Sequence, residues 1–227
     1  MKKYLPILKK CPLFHHLADD DILSALNCIN AKLYKKQGGE YIFCPGDTAK
    51  SMGIVLSGSL LVMQEDIWGH RNIISKITPG GLFAEPFAVL PGAVMNIGVL
   101  AEKNTEFLFP DMSKIMSLCP NTCPHHSQII NNLIQILSQK ILFFNDKITH
   151  MSKRTTREKL LSYLSAESVR QGSLSFDIPY NRQQLADFLA VERSAMSFEL
   201  SKLQKAGLLT TKRNHFVLSA KNSPDSL

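Results

Sequence analysis

Hydrophobic positions change period along this chain, and each change marks an element. Ile22, Leu26, Ile29 and Leu33 recur at helical spacing, which predicts a single apolar helix face in a short N-terminal lead-in. Asp19, Asp20 and Asp21 suit the positive end of that helix. From Gly39 to Phe109 the pattern becomes short β-prone runs: 41–43, 52–56, 60–63, 73–77, 97–100 and 107–109. Turn residues separate them, including Pro45-Gly46-Asp47, Gly69, Pro79-Gly80-Gly81 and Pro91-Gly92. Ser57-Gly58 between two apolar runs predicts a tight hairpin. Such punctuation predicts an antiparallel sandwich, barrel or roll, and periodicity does not choose among them.

Residues 124–151 read as one long helix. Ile130, Ile134, Leu137, Ile141, Phe144, Ile148 and Met151 form a stripe at alternating spacings of four and three, the pattern of a helix that pairs with another helix. Leu133, Leu142 and Phe143 supply a second apolar flank that can face the sheet domain. A symmetric dimer is the predicted assembly.

The remaining residues carry sharp helix signals. Thr155 and Glu158 form a capping box, and Gly172 suits the helix stop. An extended stretch, 174–178, follows. Asn181 caps a second helix with Gln184, and Tyr180 can staple onto Leu185. Ala190-Val191 makes a brief turn before a helix from about Glu192 to Ala206, with Met196, Leu200 and Leu203 inward. Runs 208–211 and 216–218 then flank Lys212-Arg213-Asn214, a hairpin with a basic tip. Two short helices on a tight turn followed by a basic hairpin make a winged helix-turn-helix. Its second helix would offer Arg193, Ser194, Ser197 and Lys202 to the major groove of double-stranded DNA.

Charge supports that reading. The formal net charge is +7; residues 1–151 hold 14 basic and 12 acidic side chains, whereas residues 152–227 hold 12 and 7. A compact basic segment suits a polyanion, since each neutralised phosphate releases counterions. The longest apolar runs are broken by Gly, Pro or charge, which predicts no membrane span. Pro6, Lys9 and Lys10 interrupt any leader-like stretch, and five cysteines form an odd, sparse set. Both features predict a cytoplasmic protein with reduced thiols.

With these residues in view, the chain resembles the Crp/Fnr family of bacterial transcription regulators from Cys11-Pro-Leu-Phe14 to Leu218. The resemblance rests on Gly46-Asp47, Val55-Leu56-Ser57-Gly58-Ser59, Pro79-Gly80-Gly81-Leu82-Phe83-Ala84-Glu85, and Asn181-Arg182-Gln183-Gln184-Leu185-Ala186-Asp187. Val191-Glu192-Arg193-Ser194-Ala195-Met196-Ser197 and Leu208-Leu209 complete it. It implies an α+β chain with an effector-sensing β-roll at 1–123, a dimerisation helix at 124–151 and a winged helix-turn-helix at 152–227. It also implies a homodimer on palindromic sites, with RNA polymerase as a protein partner. Arg182, Gln183, Arg193, Ser194, Ser197, Lys202, Lys212 and Arg213 are the expected DNA contacts.

The effector pocket implied by the resemblance comprises Gly81, Leu82, Phe83, Glu85, Met95, Asn96, Leu142 and Phe143. In cyclic-AMP-binding members, a Glu at the position of Glu85 binds ribose and an Arg-Ser pair holds the phosphate. Here that pair looks like Met95 and Asn96, which leaves a buried phosphate without a counter-ion. Leu142 and Phe143, near the positions that bond adenine, have no side-chain hydrogen-bonding groups. An effector other than cyclic AMP is expected, its identity unknown and either small-molecule or redox in kind. In the recognition helix, Ser194 and Phe198 stand where family members often carry Glu and Arg; Phe198 contacts a thymine methyl or packs inward.

Cys119, Cys123, His125 and His126 have a spacing compatible with metal or redox chemistry, though ordinary loop residues are the favoured reading, and no cofactor is assigned. His15-His16 near Cys11 is a weaker grouping. The alternative function is a cyclic-nucleotide-type module acting on a protein partner, which the basic helix-turn-helix argues against. No paired carboxylates, Ser-His-Asp set or phosphate loop supports an enzyme.

Overall fold

The computed structural model describes residues 1–116 and 124–219. Its chain separates into units spanning residues 1–141 and 142–227. In the first unit, α1 (Leu5–Leu8) and α2 (Asp19–Cys28) precede the sheets. Ile22, Leu26 and Ile29 are buried together, as their spacing predicts. Leu33 is not on that face. Asn30 turns the backbone to a φ of 48°, and the chain enters strand β1 (Lys32–Lys36). This lysine-rich strand lies at a sheet edge, where charged side chains face solvent and the alternating pattern is lost.

The sheets are built from β2 (Tyr41–Phe43), β3 (Gly53–Ser57), β4 (Leu60–Glu65), β5 (Arg71–Ile77), β6 (Leu82–Phe83), β7 (Gly98–Ala101) and β8 (Thr105–Phe109). One sheet has the order β1-β8-β3-β6 and the other β2-β7-β4-β5, with antiparallel neighbours throughout. The predicted hairpin at Ser57-Gly58 is therefore corrected: β3 and β4 belong to different sheets, and this turn carries the chain between them. A Cβ on Gly58 would lie 2.4 Å from Asn104 O, and its φ is +81°, so both space and backbone require glycine.

Alternate residues of β3 feed two cores, which explains its unbroken apolar run. Val55 joins Leu60, Val62, Ile77, Phe83, Val99 and Phe107 between the sheets. Ile54 and Leu56 face the helices, where they meet Leu26, Ile115 and Leu133. A short helix α3 (Glu85–Val89) follows the glycine-rich turn, and α4 (Met112–Met116) follows the last strand.

The long helix α5 (Pro124–Met151) has the predicted length. In its first half Ile129, Leu133 and Ile136 are buried against the helical core. Ile134, Ile141, Leu142 and Ile148 are each more than half exposed.

The second unit contains the end of α5, then α6 (Thr156–Gln171), β9 (Ser175–Asp177), α7 (Arg182–Leu189), α8 (Arg193–Lys205), β10 (Leu209–Lys212) and β11 (His215–Leu218). Both predicted capping boxes are formed. The hairpin β10–β11 gains β9 as a third antiparallel strand. Tyr180 stacks on Phe188 with ring centroids 4.8 Å apart.

Candidate DNA interface and effector roll

The turn between α7 and α8 is as short as a helix-turn-helix needs. Ala190 takes a φ of 51°, and the Val191 N–H donates to Ala186 O at 3.0 Å. Ala186 has no exposed surface, so its single methyl permits the close crossing. Met196, Leu200 and Leu203 seat α8 inward. Arg193, Ser194, Ser197 and Phe198 therefore share the outward face and are exposed. Phe198, left open by the sequence, points to solvent at 61% exposure, with the Lys202 ammonium 4.4 Å from its ring centroid. Lys202 also pairs with Glu199 at 3.3 Å. At the wing, Lys212 and Arg213 are exposed where β10 turns into β11.

Gln183 is exposed on α7 and donates to Asp187 at 2.8 Å. Arg182, the other expected contact on α7, makes contacts within its own unit. Its guanidinium stacks 5.0 Å from the Phe216 ring centroid and donates to Thr211 Oγ1 at 2.6 Å. Burial lowers its pKa. The side chain braces α7 against the wing.

In the roll, Gly81 admits no side chain, since a Cβ would approach Ile77 Cγ2 to 2.7 Å. Leu82 and Phe83 are buried, and Phe83 packs with Phe43, Phe107 and Phe109 at centroid distances of 5.6 to 6.4 Å. These rings fill the space between the sheets. Ala84 holds a φ of 61° and delivers Glu85 to the start of α3. The Glu85 side chain has no exposed surface and forms an ion pair with Lys140 of α5. Lys140 also donates to Leu82 O at 3.0 Å.

Met95 is 1% exposed and belongs to the inter-sheet core, while Asn96 is exposed. Of the long-helix residues expected at the pocket, Leu142 is exposed and Phe143 packs on Phe188 at 6.1 Å within the second unit. The residue that reaches the roll is Lys140, which the sequence reading missed. Its signal was a lysine four residues after Ile136 and seven after Leu133, on the face that turns inward.

Of the cysteine–histidine grouping, the structure describes the two histidines. Cys119 and Cys123 lie outside the described residues. His125 pairs with Asp21 at 3.2 Å, and His126 donates to Lys114 O at 2.6 Å. Cys11 is wholly buried and its thiol is pushed up to about 12 by burial, which makes it inert. No cluster of three potential metal ligands occurs among the described residues.

Two family models match the chain in the order of its units. The cyclic nucleotide-binding domain matches residues 35–121, and the Crp-like helix-turn-helix domain matches residues 158–221. The chain belongs to the Crp/Fnr family of transcriptional regulators. It is 24% identical over 202 residues to the cyclic AMP receptor protein of Thermus thermophilus, covering 89% of each chain. It is 21% identical to the transcriptional activator protein FnrL of Cereibacter sphaeroides, covering 92% of this chain and 86% of that one. Its fold is similar to that of the c-di-GMP responsive global regulator CLP of Xanthomonas campestris, with a TM-score of 0.70 at 18% identity over 90% of this chain and all of the other. The family assigns DNA-binding transcription regulation, and its members are regulators rather than enzymes. The α+β architecture of roll, long helix and winged helix-turn-helix is that of the family. Among the described residues, no helix is long and apolar enough to cross a membrane.

Proposed function

We propose that this Crp/Fnr regulator works as a homodimer on palindromic DNA and responds to an effector other than cyclic AMP. The observation that carries the effector reading is the Glu85–Lys140 pair. The carboxylate that would meet a ribose already faces an ammonium supplied by the protein's own helix. A cyclic phosphate would find no arginine beside it, because Met95 is packed into the inter-sheet core and Asn96 is exposed.

The dimer reading is supported by α5. Ile134, Ile141 and Ile148 stand seven apart and remain exposed on a single chain, a costly arrangement unless a second copy covers them. Two-fold symmetry would then present two α8 helices to half-sites one helical turn apart. Arg193, Ser194, Ser197 and Phe198 would read bases; Gln183, Lys202, Lys212 and Arg213 would hold phosphates. RNA polymerase as a protein partner and a cytoplasmic setting remain part of this reading.

Sedimentation equilibrium and calorimetric titration with cyclic AMP test both halves. A dimer that evolves no saturable heat with cyclic AMP is expected. A monomer at micromolar concentration would overturn the assembly, and saturable binding of one nucleotide per chain would overturn the effector reading.

A further inference from the structure

Three of the large apolar side chains of α8, Met196, Leu200 and Leu203, are buried and seat the helix. Phe198 is the exception: it stands on the outward face beside Arg193, Ser194 and Ser197, 61% exposed. An exposed phenylalanine gives up the burial that ordinarily favours it, so a partner that covers the ring recovers that energy.

The surroundings of the ring define the partner. The Lys202 ammonium lies 4.4 Å from the ring centroid, and Glu199 holds it at 3.3 Å. Arg193 opens the same helix, Lys205 is exposed at its end, and Lys212 and Arg213 are exposed on the wing of the same unit. An apolar group set among cations suits a polyanion that carries an apolar group of its own. The major groove of DNA offers one, the 5-methyl group of thymine. A phenyl ring makes no hydrogen bond to a base edge, so the methyl is the feature it can select. Apolar wedges that enter between base steps act from the minor groove, whereas a helix-turn-helix presents its second helix to the major groove.

Helix geometry sets the position of that thymine. Phe198 follows Arg193 by five residues, a rise of about 7.5 Å. Base pairs stack at about 3.4 Å, so the two side chains address bases about two pairs apart.

We propose that Phe198 is a specificity-determining residue that reads the 5-methyl group of a thymine, about two base pairs from the base met by Arg193. This role rests on α8 being the recognition helix, and it names the chemical group that the helix selects. Cytosine lacks that methyl and 5-methylcytosine restores it, so methylation of a cytosine at this position would strengthen binding.

Anisotropy titration of the full-length protein on its selected duplex, with each thymine of one half-site replaced in turn by deoxyuridine, tests the role. At one position the lost methyl should weaken binding about fourfold, the worth of one buried methyl-sized group. Phe198→Ala should bind the thymine and deoxyuridine forms of that position equally. Phe198→Leu, which keeps an apolar contact, should retain the difference. With cytosine placed there instead, 5-methylation should tighten binding by about the same fourfold. A series in which no deoxyuridine effect disappears with Phe198→Ala would overturn the methyl assignment and leave α8 as the recognition helix. If Arg193→Ala and Phe198→Ala both leave the preference for the selected duplex over unrelated DNA unchanged, α8 does not read bases, and the role of Phe198 falls with it.

Discussion

Glu85 at the start of α3 and Lys140 on α5 form an ion pair in which the carboxylate has no exposed surface. Neither Glu85 oxygen accepts a hydrogen bond of sound geometry from the described residues, so the lysine charge is what offsets its burial. The pair ties the glycine-rich turn to the long helix. Lys140→Met should destabilise the first unit by about 3 kcal/mol, because it strands a buried charge. Adding Glu85→Gln should recover most of that loss. Denaturant unfolding of both single variants and the double variant measures the coupling.

Arg193 is the first residue of α8 and is exposed. Substitution by alanine should cost about 1 to 3 kcal/mol with the preferred DNA site while changing affinity for unrelated sequence far less. Fluorescence anisotropy on both duplexes reads the ratio. An equal loss on both would mean that Arg193 contacts phosphate rather than base.

Glu192 occupies the N-cap of α8 without making a side-chain capping bond. Its charge suits the helix dipole, but no N-cap side chain accepts from the first-turn N–H groups. Glu192→Ser should stabilise the second unit by about 1 kcal/mol, seen as a rise in its thermal midpoint. A lower midpoint would show that the glutamate charge is worth more than a cap.

Lys147 gives the second unit a pH signature. Its folded pKa is lowered to about 8 by burial, below the value of 10.5 in an unfolded chain. Between these values the unfolded state binds more protons, so stability should rise with pH above about 8. The trend should weaken near pH 10, where Tyr163, its pKa raised by burial, ionises in the unfolded chain first. Lys147→Met should flatten the rise between pH 8 and 10. An unchanged slope in that variant would assign it to other groups.

Much of this molecule is legible in its sequence, and the exceptions have physical causes. Capping residues such as Thr155 and Asn181 satisfy backbone groups locally, so spacing alone located α6 and α7. The stripe of α5 is legible because helical periodicity survives whether its partner is a sheet or another helix. Strand β1 was hidden because an edge strand of lysines lacks alternation. The Ser57-Gly58 turn was misread because a two-residue signal cannot tell a hairpin from a crossing between sheets. Lys140 escaped because a lysine in a helix is ordinarily solvated; only the position of Glu85 in three dimensions makes it a partner. Arg182 shows the reverse, a basic residue in the recognition motif whose guanidinium is turned to Phe216.

The most direct test is selection of duplexes from a randomised DNA pool by the purified protein, with and without cyclic AMP, followed by anisotropy titration of the enriched sequence. A two-fold symmetric sequence is expected, with half-sites one helical turn, about 34 Å, apart, bound in a salt-sensitive manner and unaffected by cyclic AMP. Enrichment that appears only with cyclic AMP, or of a single unrepeated half-site, would contradict it.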